Sequence, residues 1–146
     1  MPVLPHSPPE PSRPTVLLVE AEPMLRLTMT KFLRRAGYEV MACPDGDSAA
    51  ALLAAGGRGA TLIILCTRVL DAETAAVARR LHELSPRSQM LGIADAIDPN
   101  DPGQIPLPPG LRFLAPPFDM PDVLRAVRSH LSRVGGGIPS VEALEA

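Results

Sequence analysis

Residues 62–65, Leu-Ile-Ile-Leu, are four consecutive large apolar side chains that run into Cys66 without a polar break. Successive side chains of a strand point to opposite faces, so such a run suits a strand that is covered on both. That arrangement calls for a parallel sheet with helices above and below it. The stretch 60–71 is therefore expected at the centre of the fold. In open sheets of this kind, ligands and reacting groups gather outside the carboxyl ends of the central strands. Position 66 is expected there, and it holds a thiol.

Elements of two kinds alternate around this strand. Residues 15–19, TVLLV, read as a buried strand, and Glu22-Pro23 opens a helix, since proline is tolerated at the first helical position and acids suit the positive end of the dipole. Leu25, Met29, Phe32, Leu33 and Ala36 form that helix's apolar face, and Gly37 stops it. A second strand is expected over 38–42. A helix over 48–55 follows, capped by Asp45 or Asp47, with Ala49, Leu52 and Leu53 inward. After Gly56, Gly57 and Gly59 comes the central strand, then a helix over 73–84 facing inward through Val77, Leu81 and Leu84. Ser85-Pro86 ends it, and MLGIA, 90–94, is a fourth strand. The stretch 95–110 carries five prolines, each costing about 3 kcal/mol inside a helix, so no regular helix is expected there. Residues 111–114 read as a short edge strand. Asp119 then caps a last helix to Leu131, with Met120, Val123, Leu124, Val127 and Leu131 on one face.

The ends differ in composition. Residues 1–14 contain six prolines and form an expected disordered tail; 133–146, with a joint at Gly135-Gly136-Gly137, are expected to form a second tail; 15–132 are the single domain. A net charge of −2 argues against nucleic acid, and 3% aromatic content leaves no stacking platform. No stretch approaches a membrane span and no signal peptide is evident, so a soluble cytoplasmic protein is expected, with Cys43 and Cys66 as reduced thiols. No glycine-rich phosphate loop follows the first strand, which weakens the case for an enzyme or a nucleotide binder.

The strings TVLLVEAEPMLR, FLRRAGYEVMACPDGDSAAALL and LAPPFDMPDVLRAV, with their spacing, resemble the receiver domain of two-component response regulators over residues 14–132. The resemblance implies a flavodoxin-like, doubly wound α/β fold: five parallel strands in the order 2-1-3-4-5, with the fourth helix replaced by the proline-rich loop. It also implies a chemistry, phosphoryl transfer to an aspartate with a Mg²⁺ held by carboxylates, a hydroxyl on the fourth strand and a lysine. Glu20 matches the first acidic position and Glu22 the acid before the helix proline. The main metal carboxylate falls on Ala21, the phosphoacceptor on Cys66, the hydroxyl on Ala94 and the lysine on Pro116. Four of these positions are replaced, so aspartyl phosphorylation and the Mg²⁺ site are expected to be lost, with Glu20 and Glu22 as weak cation ligands at most. By the same resemblance the peptide bond before Pro117 is expected cis.

The resulting expectation is a stand-alone pseudo-receiver in phosphorelay signalling, not an enzyme. It would work through protein contacts of the fifth strand, the last helix and the proline-rich loop, with Arg112, Asp122, Arg125 and Arg128 on that surface. No output domain follows in this sequence, so the signal is expected to pass to another chain; homodimerisation is left open. Cys66 reads first as an inert thiol and second as a thiol-based sensor, Glu20, Glu22 and Asp95 on the rim working against its ionisation. A Cys43–Cys66 disulfide is not expected, because the sheet order that the resemblance implies puts the two residues two strands apart, beyond the reach of about 7 Å between Cα atoms. Arg79, Arg80 and Arg87 read as a solvated helix face rather than a phosphate site.

Overall fold

A computed structural model of the chain describes residues 13–55, 60–97, 106–114 and 117–134. Its elements, in chain order, are β1 (Thr15–Val19), α1 (Pro23–Arg35), β2 (Glu39–Cys43), α2 (Gly46–Ala55), β3 (Leu62–Leu70), α3 (Ala72–Leu84), β4 (Gln89–Ile97), β5 (Arg112–Leu114) and α4 (Met120–Val134). All strand pairings are parallel, and the sheet order is β2-β1-β3-β4-β5. β3 is central, as its uninterrupted apolar run requires: Leu62, Ile63, Ile64 and Leu65 are all buried.

The alternation of side chains along each strand divides the core in two. Val16, Leu18, Leu62, Ile64, Leu91 and Ile93 face α1 and α4, meeting Met29, Leu33, Val123 and Val127. Leu17, Val19, Ile63, Leu65 and Met90 face α2 and α3, meeting Ala49, Ala50, Ala78 and Leu81. Helices therefore cover both faces of the sheet.

Each helix start carries its own carboxylate. The Leu25 N–H donates to Glu22 at 2.6 Å, Ser48 N–H to Asp45 at 2.8 Å and Thr74 N–H to Asp71 at 2.8 Å. Asp119 and Asp122 cap reciprocally at the start of α4, each backbone N–H donating to the other's carboxylate at 2.9 Å. α1 stops at Gly37, whose φ of 104° lies in the left-handed region open to glycine.

Several details depart from the sequence-based expectations. β2 begins at Glu39 rather than at residue 38. On α2 the buried residues are Ala49 and Ala50, while Leu52, roughly a third of a turn from the stripe they define, is 40% exposed. On α3, Ala75, Ala78 and Leu81 are buried, but a spacing of three drifts about 60° per step around a helix, so Leu84 has turned outward. α1 is held by Met29 and Leu33, each worth about 2 kcal/mol of burial. Leu25, one turn nearer the end of the sheet, is 44% exposed.

The largest difference lies at the centre. β3 and β4 run past residues 66 and 94, pairing Thr67 with Ala94, Val69 with Ala96 and Leu70 with Ile97. Asp95, Ala96 and Ile97, expected in a loop, belong to β4. No glycine or proline interrupts 67–71, Thr67 and Val69 favour extended backbone, and the strand ends where Asp71 caps α3. Residues 106–110 are irregular, with Gly110 at a φ of 82°. Residues 98–105, which bear on the replaced fourth helix, lie outside the described residues. So do most of the two expected tails, Pro116 and hence the bond before Pro117.

Candidate functional site

The site lies beyond the carboxyl end of β1. β1 pairs with β3 only as far as Leu65, so Cys66 is the first residue of β3 past the end of β1, while on its other side it stays paired with Ile93. Cys66 therefore sits in a wall of the site, not at its mouth: β3 continues beyond it by four residues, about 13 Å. The result is a cleft of about 870 Å³ between that wall, the β1–α1 connection and the start of α4.

The floor and inner wall are apolar: Leu25 and Met29 from α1, Ile93 from β4, and Phe118, Met120 and Val123 at the start of α4. Around these stand Glu20, Glu22, Asp71 and Asp95, opposed by a single guanidinium among the lining residues, Arg68. The acids differ in what they already hold. Glu20 accepts the Glu22 N–H at 2.8 Å and Glu22 accepts the Leu25 N–H at 2.6 Å, so both fix the entry to α1. Asp71 is the cap of α3, and its hydrogen bonds from Thr74 keep its carboxyl below the usual range. Asp95 is exposed on the continued part of β4. Arg26 supports the same loop from outside the cleft, donating to the carbonyls of Glu20 at 2.9 Å and Ala21 at 3.3 Å.

Cys66 is partly buried and free. Desolvation pushes its thiol well above the ordinary range, and the neighbouring carboxylates of Glu20 and Asp95 push it further. Cys43 is buried on the opposite face of the sheet, with the α2 and α3 side chains. Its thiol lies 3.6 Å from the Leu18 carbonyl, and burial raises its pKa to about 11. β1 separates the two cysteines, and they point to opposite faces.

Of the positions singled out in the sequence, the fold brings Glu20, Ala21, Glu22 and Cys66 to one cleft. Ala94 is buried and does not line it. Among the described residues, no three His, Cys, Asp or Glu side chains converge to hold a metal ion. Arg68 and Thr67 went unnoticed in the sequence, because only the continuation of β3 carries them into the cleft. Arg79, Arg80 and Arg87 do not converge: Arg79 donates to the Pro106 carbonyl at 2.7 Å and Arg80 pairs with Asp47 at 2.8 Å. Arg112 and Arg128 are exposed, and Arg125 pairs with Asp122 at 2.8 Å. His130 on α4 is fully buried, with Nδ1 3.1 Å from the Ala126 carbonyl.

A five-stranded parallel sheet in this order, with its cleft beyond β1 and β3, is the fold of response regulator receiver domains. Among solved structures, the chain is similar to a response regulator receiver protein from Sinorhizobium medicae, with a TM-score of 0.68 and 24% identity over 82% of this chain and 95% of that one. It is likewise similar to a CheY-like receiver domain from Methanospirillum hungatei, at 0.70 and 16% over 86% and 100%. The Vibrio cholerae chemotaxis protein CheY4 superposes at 0.64 and 20% over 82% and 100%. These likenesses establish the fold. No family model matches the sequence, and no curated protein does. No helix among the described residues is long and apolar enough to cross a membrane.

Proposed function

We propose that this chain is a pseudo-receiver: a signalling module of a cytoplasmic two-component or phosphorelay pathway that works by protein contacts and is not phosphorylated on aspartate. The observation that carries the reading is the composition of the cleft. Ala21 and Cys66 stand where the resemblance requires two carboxylates, and Glu20 and Glu22 spend carboxylate oxygens on the backbone of the α1 entry. A hard divalent cation needs several free oxygen ligands, and this set does not supply them. The exposed edge formed by β5 and the outer side of α4, with Arg112, Asp122, Arg125 and Arg128, is the proposed contact surface.

Acetyl phosphate and Mg²⁺ added to the purified chain, followed by intact-mass measurement, should leave the mass unchanged. A phosphoryl adduct on Asp71 or any other acid would overturn the reading. The second reading, a thiol sensor, has one observation in its favour, that Cys66 lines an open cleft. Against it, the surroundings hold the proton on sulfur, and the thiolate is the reactive form.

A further inference from the structure

The cleft is more than an erased catalytic site. Ala21 and Cys66 leave small and weakly polar surface at positions where the resemblance implies carboxylates, and the continued β3–β4 ribbon adds a wall that holds Val69 and Arg68 against the opening. A volume of about 870 Å³ falls in the range of sites that enclose small organic molecules. Its depth is lined by Met29, Ile93 and Val123, of which Val123 is 1% exposed overall and Met29 3%. Its rim carries four carboxylates and one guanidinium.

We propose that the cleft is a binding site for an amphipathic organic cation, an ammonium or amidinium head on an apolar body. The apolar body lies against Met29, Ile93, Phe118 and Val123, and the cationic head stays at the rim near Asp95 and Glu20. The charge balance selects the cation: among the described residues that line the cleft, an anion meets four carboxylates around a single arginine, and a bare metal ion meets no three converging ligands. The field of the acids reaches into the cleft, since Glu20 and Asp95 both act on the Cys66 thiol in its wall. Asp95 has the geometry for the head group, because it is exposed and makes no hydrogen bond or ion pair with another described residue. This site stands whether or not the chain meets a protein partner or loses phosphorylation.

The test is calorimetric titration of the full chain with octylammonium, ethylammonium, 1-octanol and octanoate, all below micelle formation, alongside native thiol labelling with the modified cysteine mapped by mass. Octylammonium should bind most tightly, octanol more weakly and octanoate least, and saturating octylammonium should slow labelling of Cys66 several-fold. Asp95→Asn, an exposed change that the fold tolerates, should weaken octylammonium about two- to fivefold and leave octanol unaltered. Met120→Trp, which fills the cleft from its half-buried edge, should weaken both. Equal binding of octanoate and octylammonium, equal binding of ethylammonium and octylammonium, or no protection of Cys66 would each overturn the proposal.

Discussion

Cys43 shows how burial can dominate the behaviour of a residue, with the charge of Asp45 acting in the same direction. Its thiol sits under α2 and α3, and the lost hydration of the thiolate raises its pKa from an ordinary 9.0 to about 11. Below 9.0 the folded and unfolded chains both keep the proton, and this contribution to stability is complete. Between 9.0 and about 11 only the unfolded chain releases it, so stability falls as the pH rises, by on the order of 2 kcal/mol in all. Urea midpoints measured near neutrality and near the upper value should therefore separate wild type from Cys43→Ala: the variant starts lower, from its cavity, but loses less on going alkaline. Parallel pH slopes for the two proteins would refute the assignment. Cys66 feels the same desolvation plus two acids, a combination visible only once β1, β3 and β4 are placed side by side.

At the scale of elements, the edge of the sheet brings a ring and a backbone into close approach. β5 is three residues long and pairs only with Leu91, Gly92 and Ile93. A side chain at Gly92 would overlap the Phe113 ring, which lies across it. Gly92→Ala should cost about 1–3 kcal/mol in urea unfolding, by displacing Phe113 and loosening β5. Adding Phe113→Leu should recover part of the loss, a non-additivity expected of two residues in contact; strict additivity would place the strain elsewhere. This contact could not be read from MLGIA and LRFL separately, since it depends on register between elements twenty residues apart. Most helix starts were legible, because Glu22, Asp119 and one of the two acids offered for α2, Asp45, act on N–H groups only three residues along the chain; the cap of α3 by Asp71 emerged only with the end of β3.

For the whole molecule, β-α alternation with short connections calls for a parallel sheet, while the order β2-β1-β3-β4-β5 is the one implied by the resemblance and found in the structure, with similarity to receiver domains over more than four-fifths of the chain. A protein whose cleft held Mg²⁺ would gain stability from it by mass action. Thermal unfolding of this chain should be the same with and without millimolar Mg²⁺. A rise in midpoint that depends on Mg²⁺ concentration and disappears in Glu20→Gln would show that the acidic rim still holds a cation, contrary to the proposed function. The same scan with octylammonium should raise the midpoint.

The sequence by itself determined the central strand, the two-faced core and the caps at Glu22 and Asp119, because each depends on side-chain type at fixed local spacing. Only the tertiary structure decided how far β3 and β4 run together, and hence that Cys66 lies in a wall rather than at a rim. It also decided that Arg68 and Asp95 share a cleft with Met29 and Val123. Strand length beyond a buried run is set by hydrogen bonding to a partner strand, and a cleft is the space left where separate elements stop. Neither quantity is a property of any one segment.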